Sequence, residues 1–257
     1  MTVAVTSAPV AARPAPATVR VEGLGVRFDF DRRSRVVTPA LSRIRRIRES
    51  SWGLREVDLR LEPGAGLALV GPTGSGKTTL LRVLAGVLPP DEGTVEVQGR
   101  VGTMLATEFG LQALLTGREN SLLLGVLAGL SLAEARTRLN EIAERSRLDG
   151  AFDRPIHTYS MGMRARLHLA SLQSISADVL LLDEAFESLD HEFRGIVEVY
   201  GRELRQRGGI VVAAGHDHAA LERLCTKAMW LDRGHVRAEG EFSTVISAYR
   251  ASVSPPS

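Results

Sequence analysis

From Val19 to Phe30 apolar residues recur at Val21, Leu24, Val26 and Phe28, and Val57, Leu59 and Leu61 alternate ahead of Pro63-Gly64. A period near two predicts two antiparallel strands, each with one face on a core. Between them, Asp31 to Ser51 breaks the alternation: Leu41, Ile44 and Ile47 fall at helical spacing, which predicts a short basic amphipathic helix. Leu67 to Val70 is a compact apolar run that ends in a glycine-rich turn, and Thr78 to Leu88 then has helical character. Leu111 to Leu148 predicts helices, apolar at Leu122 to Leu132 and charged at Glu134 to Arg147, and another helix is expected over Arg164 to Gln173. Val179 to Leu182 and Ile210 to Ala214 are short runs without polar alternation, as in parallel strands buried on both faces. The expected fold is α/β: a parallel core with an antiparallel β edge and a helical subdomain from about Thr107 to Gln173.

With 257 residues, 44% of them hydrophobic and 24% charged, the chain has the composition of one large globular domain, expected to span residues 19–257. Residues 1–18 are mostly Ala, Pro, Thr and Val with Arg13 the one charged side chain, which predicts a disordered tail and lacks the pattern of a signal peptide. A formal net charge of +2 supplies no global field for nucleic acid, so none is expected as a partner. The basic signal is local: seven arginines lie between Arg32 and Arg48. They read either as a solvated connector or as a surface that meets lipid headgroups or a membrane subunit. The longest apolar run, Leu122 to Leu130, is too short to span a bilayer, which takes about 20 residues. Cys225 is the sole cysteine, expected to be a buried, inert thiol in a reducing compartment.

The turn after Leu67 to Val70 reads Gly71-Pro72-Thr73-Gly74-Ser75-Gly76-Lys77-Thr78, followed by Thr79. This is the Walker A pattern: glycines let backbone N–H groups wrap nucleotide phosphates, Lys77 brings a point charge to the β- and γ-phosphates, and the Thr78 hydroxyl is placed to ligate Mg²⁺. The strand Val179 to Leu182 ends in Asp183-Glu184. Asp183 is expected in the Mg²⁺ shell, and Glu184 is expected to orient and polarise the attacking water. Taken alone, that pair reads nearly as well as a strand end followed by a helix cap. Tyr159-Ser160-Met161-Gly162-Met163 opens a predicted helix, and Ser-x-Gly there is an N-cap able to receive an anion.

With these elements in this order the chain resembles the ABC ATPase family, whose Leu-Ser-Gly-Gly-Gln signature corresponds to Tyr159 to Met163, keeping Ser160 and Gly162 in register. The resemblance implies a homodimer in which Ser160 and Gly162 of one copy close over the γ-phosphate held by the other. It places Asp190, in Ser188-Leu189-Asp190, in the loop that links the two sites. It makes His216 the switch histidine, bonded to the γ-phosphate and holding water together with Glu184, and puts Phe28 against adenine, with Phe30 close enough to compete. One departure stands out: the position of the family's Q-loop glutamine, counted back from Thr116-Gly117-Arg118-Glu119-Asn120, falls on Ala106, which has no ligating group, with Glu108 or Gln112 as substitutes. Over Val19 to Arg250 the sequence is most similar to ATPase subunits of polysaccharide exporters. That implies export of a lipid-linked polysaccharide through a separate membrane permease, with this subunit peripheral on the cytoplasmic face of the bacterial inner membrane. The alternatives are an ATP-gated binding module with little hydrolysis, motivated by Ala106, and a soluble ABC ATPase outside transport.

Overall fold

The structure, a computed structural model, describes residues 16–32, 47–105, 110–184 and 191–253. Strands β1 (Thr18–Arg32), β2 (Ile47–Leu61) and β4 (Glu92–Gln98) form an antiparallel sheet in the order β2-β1-β4. The β1/β2 ladder runs out to the Arg32 and Ile47 pair. Ile47, expected on an amphipathic helix, is therefore in a strand, because cross-strand pairing with β1 supplies backbone partners that helical spacing alone does not reveal. Leu41 and Ile44 lie outside the described residues, as does most of the predicted tail.

The second sheet has the order β5-β6-β7-β3-β8-β9, with β3 (Gly66–Val70), β5 (Val101–Met104), β6 (Val179–Leu182), β7 (Ile210–Ala214), β8 (Lys227–Asp232) and β9 (His235–Glu241). All neighbours are parallel except β8 and β9. Successive residues of its central strands face opposite cores. Ala68, Val70, Leu180, Leu182, Val211 and Ala213 belong to one core, and Leu67, Leu69, Val179, Leu181, Ile210 and Val212 to the other. Burial on both sides is why these strands read as unbroken apolar runs, and each buried leucine contributes about 2 kcal/mol.

Helix α1 (Lys77–Leu84) follows β3 and stops short of the expected Leu88, where Gly86 adopts a left-handed backbone. Between β5 and β6 lie α2 (Gly117–Leu127), α3 (Leu132–Thr137), α4 (Leu139–Ser146) and α5 (Met161–Ile175). Residues 111–116 are irregular, not helical: their backbone groups bond to the Asn120 side chain, to a turn between Leu115 and Gln112, and to the amides of Ile156 and His157. Capping boxes at Thr116/Glu119 and Ser131/Glu134 start α2 and α3. The C-terminal carbonyls of α5 are met by two guanidinium groups, Arg138 on Ser174 and Arg100 on Ile175, which offset both the unsatisfied acceptors and the negative end of the helix. Helices α6 (His191–Gln206), α7 (His218–Leu224) and α8 (Phe242–Val253) complete the layer on that face. Cys225 is buried, and loss of hydration pushes its thiol up to about 12, an unreactive state. Among the described residues no helix is long and apolar enough to cross a membrane.

Candidate active site

The order β6-β7-β3 puts the carboxyl ends of three parallel strands side by side on one edge of the sheet. Chain leaving β3 forms the loop from Gly71 to Gly76, chain leaving β6 carries Asp183 and Glu184, and chain leaving β7 carries His216. Ligand chemistry gathers at such an edge because the strand ends deliver side chains there while their bodies stay in the core.

The loop's shape depends on two glycines. Gly71 has φ 144° and a Cβ there would collide with the Leu231 carbonyl; Gly76 has φ 110° and a Cβ would lie 2.7 Å from the Gly53 carbonyl oxygen. Gly76 is the N-cap of α1 and, lacking a side chain, leaves the first amides of the helix uncapped. The N–H groups of Lys77, Thr78 and Thr79 have no acceptor within the helix by its own geometry, and they lie at its positive end. Ser75 Oγ is buried and has no hydrogen-bond partner among the described residues. The loop is supported from behind by the β8–β9 turn: the Gly234 N–H donates to the Ser75 carbonyl at 2.9 Å, and the Arg55 N–H donates to the Gly234 carbonyl at 2.9 Å. Pro72, Thr73 and Gly74 form its exposed crest.

Lys77 is a buried cation whose Nζ donates to the carbonyls of Gly71, at 2.8 Å, and Pro72, at 3.3 Å. Burial lowers its pKa, and the charges of Glu184 and Asp183 act in the opposite sense, which places both carboxylates within electrostatic reach of the ammonium. Asp183 is buried, and its Oδ1 accepts from the Glu184 N–H at 2.9 Å. Glu184 and His216 are half-exposed and meet at 3.0 Å, Oε1 to Nε2. A buried carboxylate, the hydroxyl of Thr78 in the first turn of α1 and a loop of uncapped amides form a donor set suited to a triphosphate with a hard divalent cation that prefers oxygen ligands.

Phe28 is 36% exposed on β1 and its ring lies against Gly53, whose own carbonyl approaches Gly76. Phe30 is on the same strand, with its side chain outside the described set. Ala106, Glu108, Ser188, Leu189 and Asp190 also fall outside the described residues.

Ser160 stands apart. It is the exposed N-cap of α5 and its Oγ accepts from the Met163 N–H at 3.2 Å; Gly162 is half-buried, and a Cβ there would lie 3.9 Å from Ser160 Oγ. Among the described residues no hydrogen bond or ion pair joins Ser160 to Lys77, Glu184 or His216. Sequence reasoning missed what holds Ser160 in place. Tyr159 is buried and donates from its hydroxyl to the Ala151 carbonyl at 2.5 Å. Arg118 pairs with Asp153 at 2.6 Å and lies over the Phe152 ring. Asn120 is fully buried, donating to the carbonyls of Gln112, Leu115 and Thr116 and accepting from the Gln112 N–H. The available signal was an asparagine inside an apolar helix directly after a Thr-x-x-Glu capping box.

The family model described as ABC transporter matches residues 54–187. The O-antigen export system ATP-binding protein of Myxococcus xanthus is 34% identical over 201 residues, which are 78% of this chain and 46% of the relative. That of Klebsiella pneumoniae is 33% identical over 197 residues, 77% of this chain and 80% of the relative. A teichoic acids export ATP-binding protein of Lactococcus lactis is 31% identical over 198 residues, 77% of this chain and 42% of the relative. The chain thus spans less than half the length of two of these three relatives. Among solved structures, a dimeric ATP-binding cassette in a post-hydrolysis state with ADP and phosphate superposes with a TM-score of 0.70 at 21% identity, covering 87% of this chain and 98% of that one, and shows the same fold. An ATP-binding subunit of an ABC transporter does so with a TM-score of 0.70 at 22% identity, covering 92% and 95%. The chain belongs to the ABC transporter family.

Proposed function

We propose that this chain is the ATP-hydrolysing subunit of an exporter of lipid-linked polysaccharide, acting as a homodimer beneath a separate membrane permease on the cytoplasmic face of the bacterial inner membrane. The observation that carries the reading is the contact of Glu184 with His216 at 3.0 Å, on strand ends next to the one that bears the phosphate loop. The polysaccharide cargo is supported by relatives named for O-antigen and teichoic acid export.

In this reading the amides of Gly74 to Thr79 and the Lys77 ammonium neutralise the β- and γ-phosphates of ATP, and Phe28 stacks on adenine. Thr78 and Asp183 would hold Mg²⁺, which supplies further neutralisation of the phosphate oxygens when bound. Glu184 accepts a hydrogen bond from water and takes its proton as the oxygen attacks the γ-phosphorus and the bond from that phosphorus to the β–γ bridging oxygen breaks, ADP leaving with the electron pair, while His216 orients the carboxylate and donates to the γ-phosphate. Ser160 and Gly162 at the amino end of α5 close over the γ-phosphate held by a second copy, and Asp190 lies in the connection between the two sites. The arginines from Arg32 to Arg48, in the sequence that joins β1 to β2, meet lipid headgroups. Residues 19–257 act as one nucleotide-binding domain with a helical subdomain near 107–173.

Replacing Glu184 by Gln removes the base and keeps the shape. Turnover of ATP by the full chain with its permease should fall about 10²- to 10⁴-fold while ATP affinity is retained. Wild-type phosphate release from that variant would refute the assignment. Ala106, lacking a ligating group at the Q-loop position, favours a second reading in which ATP closes the dimer with little hydrolysis; steady-state phosphate release by the wild-type complex separates the two.

A further inference from the structure

The phosphate-facing serine of one site and the switch histidine of the same chain are far apart in sequence, yet one helical turn touches the supports of both. At the start of α6, Phe193 is buried with the Arg166 guanidinium 4.4 Å from its ring centroid and that of Arg147 at 5.8 Å. Arg166 belongs to α5, the helix that Ser160 caps. Arg147 terminates α4 in a left-handed conformation and also pairs with Glu192. The next residue, Arg194, reaches the other way, with Nη1 3.5 Å from Asp217 Oδ2. Asp217 caps α7 by accepting from the Ala220 N–H at 3.1 Å, and it follows His216 directly. A second pair, Arg223 with Glu198 at 2.8 Å, ties α7 to α6.

We propose that the first turn of α6 is a positioning element that couples the amino end of α5 to His216 within one chain, through Arg166 on Phe193 at one end and Arg194 on Asp217 at the other. The proposal rests on the reading of Ser160 and His216 given above. The physical basis is that a guanidinium over a desolvated ring and a carboxylate that caps a helix both have directional optima, unlike plain apolar contact. A shift of α5 when Ser160 engages an anion is therefore transmitted to α6 and from there to the cap of α7. Phe193 and Arg194 touch no substrate and act by holding Asp217, and with it His216, toward Glu184.

The test uses the full chain and compares Arg166→Gln, Phe193→Leu, Arg194→Gln and the double variant Arg166→Gln/Arg194→Gln in ATP turnover and in binding of a fluorescent ATP analogue. Each single variant should lower kcat about 10-fold with KM and analogue affinity within about twofold, and the double variant should be no slower than the worse single one, as for links in series. Arg194→Lys, which restores the cation, should recover most of the rate. Equal losses in kcat and affinity, additive losses in the double variant, or wild-type kcat in Arg166→Gln and Arg194→Gln would each overturn the proposal. Arg166→Gln leaves the buried ring in place, so the result stands even if Phe193→Leu fails to fold. Glu184→Gln run in parallel separates the two levels. If it keeps wild-type turnover the functional reading has failed, whereas if it is inactive and the α6 variants are unimpaired only the coupling has failed.

Discussion

Two helices of this chain present their amino ends to anions in the proposed mechanism, and they are built in opposite ways. Helix α1 begins at Gly76, which has no side chain to cap it, and grows out of β3 in the middle of the sheet. Helix α5 begins at Ser160, whose own hydroxyl accepts from the Met163 N–H, and it is carried by helices and polar contacts outside the sheet. The first is a rigid receptor with unmet donors, since the strand behind it is fully buried and the β8–β9 turn braces the loop at Ser75. The second already satisfies part of its donor set. Its gain from an anion is the difference between a phosphate oxygen and a serine oxygen, which suits a group that must engage and release.

The largest expected effect breaks the receptor. Lys77→Ala removes the buried ammonium that faces Asp183 and Glu184 and leaves two carboxylates without it. ATP affinity of the isolated chain should fall about 10- to 100-fold, the loss of one or two charge-assisted hydrogen bonds, as measured by isothermal titration calorimetry. The same variant should also lose the rise in thermal midpoint that saturating ATP gives the wild type. If affinity is unchanged, the loop is not the triphosphate receptor.

The two helix ends also differ in how far they could be foreseen. The α1 site is legible because its chemistry is contiguous: Gly71 to Thr78 names the loop, and the apolar runs before Asp183 and His216 announce buried parallel strands. What pattern alone hides is adjacency, that β6, β7 and β3 are neighbours in that order, since β7 pairs in parallel not only with β6 but also with β3, more than a hundred residues earlier. Strands β4 and β5 and the β8–β9 hairpin escaped notice because they are short and half-exposed or rest on a two-residue turn, Arg233-Gly234, with both residues at positive φ. Ile47 lies in β2 rather than on a helix for a related reason: three apolar residues at helical spacing say nothing of a strand partner fifteen residues back. The α5 site was found by its Ser160, but its supports are dispersed over Asn120, Arg118, Ala151 and Tyr159, and no local period connects them.

Those supports give the next effect. Asn120→Ala removes a fully buried side-chain amide, takes one donor from the carbonyls of Gln112, Leu115 and Thr116, and leaves the half-buried Gln112 N–H without its acceptor. A loss of about 2–3 kcal/mol in stability is expected from urea unfolding. Because the damage lies on the α5 side, nucleotide affinity at α1 should stay within about twofold at temperatures where the protein is folded, while turnover falls. Loss of affinity in step with turnover would mean that the two halves are not energetically separate.

The smallest effect sharpens the contrast most. Ser160→Ala removes only the hydroxyl that caps α5, and the expected cost in stability is about 1 kcal/mol, that of a lost N-cap. If Ser160 did no more than cap its own helix, ATP binding and ATP-driven association of two chains would both survive that change. If its hydroxyl also donates to a γ-phosphate held by the second copy, binding of ATP to one chain survives and association does not. Sedimentation of Glu184→Gln and Glu184→Gln/Ser160→Ala with ATP decides between them, because the first substitution prevents hydrolysis from dissolving the dimer. A shift from dimer to monomer on adding Ser160→Ala is the expected result. An unchanged dimer would reduce Ser160 to a local cap and leave α1 as the only anion receptor of the pair.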